Sequence, residues 1–399
     1  MSSTSMERFA SGAWLTPSLV SFVAAFTLAG SLVAIGILFW TAVGTADALG
    51  RPLGTDFSSF WTAGRMALAG QAPAAYDWSV LSRLQHETHG TDGFVPWSYP
   101  PMFLLVATVL ATVPYVKALV LWQATGVAAA LAVFQAILPG TRALMIALAF
   151  PAVLVCLGHG QTGFLTTALI AGGVLALRRN EIAAGVLFGL LAYKPQLGLL
   201  IPFALAAAGH WRAFAVAAAT VAACVALTLM IWGWPVWQAF FNALPLIGDV
   251  AFEQGSTGFH KFQSAFAWMR LWGRPVPVAY AVHAVVAATA LVGCVWAWRS
   301  AVDLRLKGAA LIIGALLTSP YVLDYDLVAF GMALAFLVAH GLEHGFRRWE
   351  QTLLAIGWIT PLVTRELAHA TYLPVGFLVL AATFGFVLVK VREARGAHA

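Results

Sequence analysis

The sequence predicts an all-α integral membrane protein, one multi-helix bundle over residues 1–399, and three observations carry that. Only 10% of the residues are charged and 61% are hydrophobic, whereas an ordinary soluble domain carries roughly 25% charged residues. Mean hydropathy is +0.85. Residues 9–46, 143–177 and 213–248 each run for more than 30 residues without an Asp, Glu, Lys or Arg, and a bilayer crossing needs about 20. These features exclude a soluble enzyme, a disordered chain and a nucleic-acid binder. The net charge of +6 is spread over the ends of apolar segments, so it does not point to a nucleic-acid partner.

The first apolar run, 19–43, follows Arg8. It is too long for the apolar region of a signal peptide, and the small residues Ser11-Gly12-Ala13 precede it instead of following it. It is expected to stay as a membrane helix. Further runs lie at 117–137, 142–157, 162–177, 182–193, 196–208, 213–232, 277–298, 308–320, 325–341, 351–364 and 372–390. A shorter piece, 101–113, is flanked by Pro100-Pro101 and Pro114. Several runs are short, so broken or tilted helices are expected where Pro114, Pro195 and Pro320 interrupt them.

Lys and Arg concentrate on cytoplasmic loops. Placing Arg178/Arg179, Arg212, Arg299/Arg305/Lys307, Arg347/Arg348 and Lys390/Arg392/Arg395 inside gives a consistent path, with Arg8 inside as well. Both termini are then cytoplasmic and the number of crossings is even. The 101–113 piece is expected not to cross, leaving 12 transmembrane helices in a cell (inner or plasma) membrane. Two long outer loops result, 44–100 and 233–275. In the first, 57–70 places Phe57, Phe60, Trp61, Met66 and Leu68 near one side, as in a short helix lying in the interface. The second is rich in Trp, and 16 Trp in one chain suit interfacial belts. Cys156, Cys224 and Cys294 sit inside apolar runs and are expected to be small buried residues.

Acids are scarce, and ten of the 16 fall outside on this topology. Asp56, in Gly54-Thr55-Asp56-Phe57, starts the first interfacial segment. It suits a helix N-cap and equally a carboxylate that takes a proton from a hydroxyl. Asp324 and Asp326 begin a span and suit either N-capping or contact with a ligand. His159 and Gln161, flanked by Gly158 and Gly160, interrupt a charge-free stretch. They suit a hydrogen-bonded helix break or contacts to sugar hydroxyls. His260 lies in the second outer loop beside Lys261, while His283 and His340 fall in or at the ends of apolar runs, where a satisfied bundle role is expected.

The chain resembles glycosyltransferase family 87, of the GT-C superfamily of integral-membrane sugar transferases. The resemblance rests on Asp56-Phe57 with Phe60-Trp61-x-Ala63-Gly64-Arg65, Gly70-Gln71-x-Pro73 and Ala75-Tyr76-Asp77. It continues through Tyr99-Pro100-Pro101, Gly160-Gln161, Gly185…Gly189-Leu190…Lys194-Pro195-Gln196 with Trp211-Arg212-Ala213, and Ser319-Pro320-Tyr321…Tyr325-Asp326. The family's Asn-Gln-Ser stretch is represented by Gln263-Ser264 alone, after Lys261-Phe262. The resemblance implies a GT-C fold and transfer of a sugar, often mannose, from a polyprenyl-phosphate carrier on the outer face, with inversion at the sugar carbon. The acceptor would be a lipid or glycan hydroxyl, and Asp56 would be the general base. Tyr99, His159, Gln161, Gln196, His260, Gln263, Ser264, Tyr321, Asp324 and Asp326 would contact sugar or acceptor.

A departing phosphate needs cations and not a protonating acid. Lys194, alone between two apolar runs and beside Pro195, suits that contact or a snorkelling role at the interface. Lys261 and Arg65 are further outer cations, each suiting phosphate or lipid headgroups. The first loop has no Asp-x-Asp pair, and Asp324-x-Asp326 lies elsewhere. No metal ion or other cofactor is expected. The alternatives are a polytopic lipid or sugar transporter or flippase, and a structural subunit. Polar residues gathered at one face, without paired half-repeats, argue against the transporter.

Overall fold

The computed structural model describes residues 3–396; Met1, Ser2 and residues 397–399 lie outside the described residues. Among these residues there is no β-strand, only isolated bridges such as Phe262 with Leu323. The chain opens with α1 (Ser3–Ser11), α2 (Pro17–Trp40), α3 (Phe57–Leu68), α4 (Trp78–His89), α5 (Pro101–Leu110) and α6 (Tyr115–Ile137). It continues with α7 (Thr141–Leu148), α8 (Pro151–His159), α9 (Gly163–Ala176), α10 (Glu181–Leu190), α11 (Pro195–Gly198), α12 (Ile201–Ala208) and α13 (Trp211–Trp232). The last third holds α14 (Trp234–Gly248), α15 (Ala265–Leu271), α16 (Val276–Arg299), α17 (Leu304–Thr318), α18 (Leu327–His344), α19 (Glu350–Thr371) and α20 (Val375–Gly396).

Local chemistry sets many of these boundaries. Thr16 caps α2 by accepting the Leu19 N–H, and Pro17 occupies the first turn, where its missing N–H costs nothing. Asn180 accepts from Ile182 and Ala183 to start α10, and Asp303 accepts from Arg305 to start α17. Pro151 cannot continue the hydrogen-bond ladder of α7, so α7 and α8 meet at a bend of 53°, the geometry of a broken span or a re-entrant loop. The α10–α13 pair packs closely because Gly185 and Gly189 lack side chains. A Cβ on Gly185 would sit 2.6 Å from the Ala213 carbonyl oxygen, and one on Gly189 2.6 Å from Thr220 Cβ.

Among the described residues, six helices are long and apolar enough to cross a membrane, or up to seven if the bent α7–α8 pair is one span. The 12 crossings expected, several of them short or broken, are not all long enough to be counted in this way, and length is the reason. The runs expected at 162–177 and 308–320 fold as α9, with 14 residues, and α17, with 15. At 1.5 Å per residue these reach only about 21–23 Å, against a hydrocarbon core of about 30 Å. Among the longer helices, α18 is buried along nearly its whole length, while α2 and α13 present most of their apolar surface outward.

The first loop also differs from its expected form. Phe57, Phe60 and Met66 are fully buried, and α3 packs on α5 instead of laying its aromatics in an interface. Both ends of α5 stay with that loop, because Trp61 Nε1 donates to the Val113 carbonyl (2.9 Å) and the Tyr76 hydroxyl donates to the Tyr99 carbonyl (2.9 Å). Exposed aromatics lie elsewhere, among them Phe22, Phe26 and Trp40 on α2 and Trp234 and Phe241 on α14.

Charged groups gather at two opposite ends. The ends of α8, α10 and α17 and the starts of α3, α9 and α18 meet around Asp56 and Asp326. At the other end Arg178 and Arg305 bind Asp303, Arg347 binds Glu393, Arg348 binds Glu7, and Lys390 binds Glu350. Between the ends, α2, α6, α7, α18 and α19 line an apolar cavity of about 1120 Å³, with Val23, Phe134, Phe150, Met332 and Trp358 on its wall.

Candidate active site

The site begins where the turn before α3 meets the end of α8. Gly160 adopts φ 64°, and a Cβ there would lie 2.6 Å from Phe57 Cβ, so only glycine allows the two backbones this close. The Asp56 N–H then donates to the His159 carbonyl at 3.0 Å. Asp56 makes no side-chain cap for α3. Its Oδ2 instead accepts from Gln161 Nε2 at 2.9 Å and lies 4.0 Å from His159 Nδ1. Its Oδ1 accepts no hydrogen bond among the described residues, and the side chain is 22% exposed.

Gln161 is the hub. Its Oε1 accepts from Tyr99 Oη (3.0 Å) and the Thr162 N–H (2.8 Å), which leaves Nε2 facing Asp56 and Tyr325 Oη (3.3 Å). The amide orientation is therefore set by its partners on both sides. His159 Nδ1 pairs with Thr55 Oγ1 at 2.8 Å, and its ring lies 5.9 Å from that of Tyr325. Beneath this layer Lys194 Nζ meets Asp326 Oδ1 at 2.5 Å, with both side chains buried. Asp326 Oδ2 accepts the Leu323 N–H, and Lys194 lies 5.3 Å from the Tyr325 ring. Lys194 is thus a buried, paired cation, and contact with a phosphate would require that pair to open.

A second group of cations forms the rim. Arg365, on α19, binds Asp324 Oδ2 through Nε (2.7 Å) and Nη2 (2.5 Å). The other Asp324 oxygen, Oδ1, is buried without a hydrogen-bond partner. Lys261 is half-buried and in no ion pair among the described residues. Burial and the Arg365 guanidinium push its ammonium below the usual lysine range, with Asp324 and Asp56 opposing them. His260 stacks edge-on with His369 at 5.2 Å. Burial, then Lys261, His369 and Arg365, lowers its affinity for a proton.

The profile of glycosyltransferase family 87 matches residues 97–320, more than half of the chain. The chain belongs to glycosyltransferase family 87. It is a membrane glycosyltransferase, and what it uses is a sugar donor and an acceptor. No curated protein and no solved structure matches it. The family match contains Tyr99, His159, Gln161, Lys194, His260 and Lys261, and it stops short of Asp56 on one side and Asp324, Asp326 and Arg365 on the other.

Other residues singled out in the sequence of this family 87 enzyme make contacts within the protein or lie apart from Asp56. Gln263 is fully buried, accepts from Thr364 Oγ1 (2.7 Å) and donates to the Lys261 carbonyl (3.2 Å). Ser264 caps α15 through the Ala267 N–H and donates to the Pro320 carbonyl. Both side chains hold the second loop in place. Tyr321 packs on Phe262 at 4.9 Å. Gln196 is half-buried and makes no side-chain hydrogen bond among the described residues. Arg65 is exposed over the Trp61 ring, nine residues along α3 from Asp56, or about 13 Å at helical rise. Sequence reasoning missed Arg365 and His369, and it named Tyr325 only within a family motif, without a role. Arg365 directly follows the run expected to end at 364, and an ionisable residue at the end of a span was its signal.

Proposed function

We propose that this enzyme transfers a sugar, mannose most readily, from a polyprenyl-phosphate carrier to a lipid or glycan hydroxyl at the extracytoplasmic face of the cell membrane. The observation that carries this reading is the Asp56 carboxylate: one oxygen is fixed by Gln161, the other accepts no hydrogen bond among the described residues, and the side chain is partly exposed. In the proposed step the acceptor O–H gives its proton to Asp56 Oδ1. The acceptor oxygen attacks the anomeric carbon from the face opposite the phosphate. The carbon–oxygen bond to phosphate breaks, the configuration inverts, and polyprenyl phosphate leaves as a dianion. Acid–base assistance of this kind is worth about 10²–10⁴-fold.

Lys261 and Arg365, with His260, supply the cations for the leaving phosphate. This moves the phosphate-binding role away from Lys194, whose part is to hold Asp326 and the Tyr325 ring under Gln161. Asp324 Oδ1 is buried without a partner, and on this reading it would accept a sugar hydroxyl once the cover over it opens. Arg365 holds one carboxylate of Asp324-x-Asp326 and Lys194 the other, which favours a metal-free reaction. The apolar cavity starts within about one helical turn of the polar cluster, since Phe164 and Val328 line it, and it suits a prenyl chain. On this reading the shorter helices complete 12 traverses, with both termini cytoplasmic, and 44–100 and 233–275 form the outer loops.

The test is to incubate purified protein with a panel of polyprenyl-phosphate sugars and an acceptor extract and to measure released polyprenyl phosphate. Acceptor-dependent release with the mannose donor is expected. Turnover with nucleotide sugars alone, and none with any lipid donor, would overturn the donor assignment.

A further inference from the structure

At the end of the bundle opposite Asp56, α18 closes on His340-Gly341-Leu342-Glu343-His344. Two histidines four residues apart lie on one helix face, a spacing that holds zinc on helices elsewhere. Their rings are stacked with centroids 4.4 Å apart. The cap of α17 brings Asp303 to them, with Oδ2 3.3 Å from His340 Nδ1. Among the described residues, Asp303, His340 and His344 are the group of metal-ligating side chains whose ligand atoms all lie within 4.8 Å of one another.

We propose that Asp303, His340 and His344 form a binding site for a divalent transition metal of the zinc class. Two imidazoles and one carboxylate are the donor set such an ion takes, at about 2.0–2.2 Å per bond. Tetrahedral bonds of that length need ligand atoms about 3.3 Å apart, which rotation of the exposed His344 side chain provides. Arg178 (3.2 Å) and Arg305 (3.2 Å) hold the Asp303 carboxylate in place, as outer partners of a ligating carboxylate do. Glu343 is engaged by Arg305, so no free carboxylate stands beside the ion to activate water, and the site binds without hydrolysing. A bound ion ties the start of α17 to the end of α18, the two helices whose other ends carry Ser319 and Asp326.

The experiment uses the full-length protein in detergent, purified on a tag without histidine and stripped with chelator. Zn²⁺ is titrated in competition with a chromophoric chelator, and thermal stability is followed with and without Zn²⁺. One equivalent is expected to bind and to raise the melting temperature. His344→Ala, at an exposed position, is expected to weaken binding at least tenfold and to remove the thermal shift, and Asp303→Asn to weaken it as well. His369→Ala, at the other histidine pair, is expected to leave binding intact. Equal Zn²⁺ affinity in the wild type and His344→Ala, or loss of binding in His369→Ala alone, would overturn the assignment.

Discussion

The two ends of the bundle use the same residue types in opposite ways. At the end away from Asp56, acids and bases neutralise one another: Glu350 and Lys390 are paired at 2.6 Å with both side chains buried, and Arg347, Arg348 and Arg305 each hold a glutamate. At the Asp56 end several polar atoms have no partner: Asp56 Oδ1, Asp324 Oδ1 and the Lys261 ammonium. Of these, Asp324 Oδ1 is buried, and a buried polar atom left without a partner costs about 1–3 kcal/mol, whereas Asp56 and Lys261 are open enough to meet a ligand. The paired end secures the fold, and the unpaired end is where chemistry is expected.

The largest effect expected is at Asp56. Asp56→Asn keeps the Gln161 contact and the fold but removes the base, and transfer should fall by about 10²–10⁴-fold. A full complement of folded, membrane-inserted protein should accompany that loss.

Next come the two buried lysines, one at each end. Removing one partner of a buried pair costs about 3–5 kcal/mol, so Lys194→Met and Lys390→Met should destabilise similarly in thermal unfolding. The comparison sharpens when activity is normalised to folded protein. Lys390→Met should retain normal specific activity, and Lys194→Met should lose most of its own, because Asp326 and Tyr325 would no longer be held under Gln161. The double variant Lys194→Met with Asp326→Leu should recover stability without recovering transfer.

Arg365→Ala comes third. It should raise the KM for the donor about 10- to 100-fold, in line with roughly 1.5–3 kcal/mol for a hydrogen bond to a charged group, with a smaller change in kcat. A steady-state titration of donor separates the two.

A smaller effect concerns pH. His89 is buried between Ser58 Oγ (2.8 Å) and Thr45 Oγ1 (2.9 Å), and burial lowers its pKa from 6.5 to about 4. The unfolded chain therefore binds the proton first. The destabilisation is absent above pH about 6.5, grows as pH falls, and is complete below pH about 4. Thermal melts of wild type and His89→Gln should diverge in the neutral range and converge as the solution is acidified. The smallest effect is at Arg65, exposed over Trp61. Arg65→Ala should change transfer less than about twofold, as exposed charges contribute little.

Much of the site was legible because charge is scarce in this chain. Asp56, His159, Gln161, Lys194 and Asp326 stand out as polar residues bordering apolar runs, and the fold brings them together. What sequence alone does not carry is who holds whom. Lys194 reads as a free cation until Asp326, 132 positions later, is seen against it. Sequence alone also does not show that Gln263 and Ser264 have loop and cap partners within the protein. The interfacial reading of 57–70 fails because its helical spacing is the same whether the apolar face meets lipid or α5. The crossing count is hard to read for a related reason. Hydropathy measures runs, whereas breaks such as Lys194-Pro195 and Phe150-Pro151 divide them into pieces too short to be judged alone.

The most direct measurement is release of polyprenyl phosphate from a polyprenyl-phosphate sugar by wild type, Asp56→Asn and Lys390→Met, at matched amounts of folded protein. The account predicts acceptor-dependent release by wild type and Lys390→Met at similar rates, and release reduced by at least about 10²-fold in Asp56→Asn. Equal release by wild type and Asp56→Asn would contradict it.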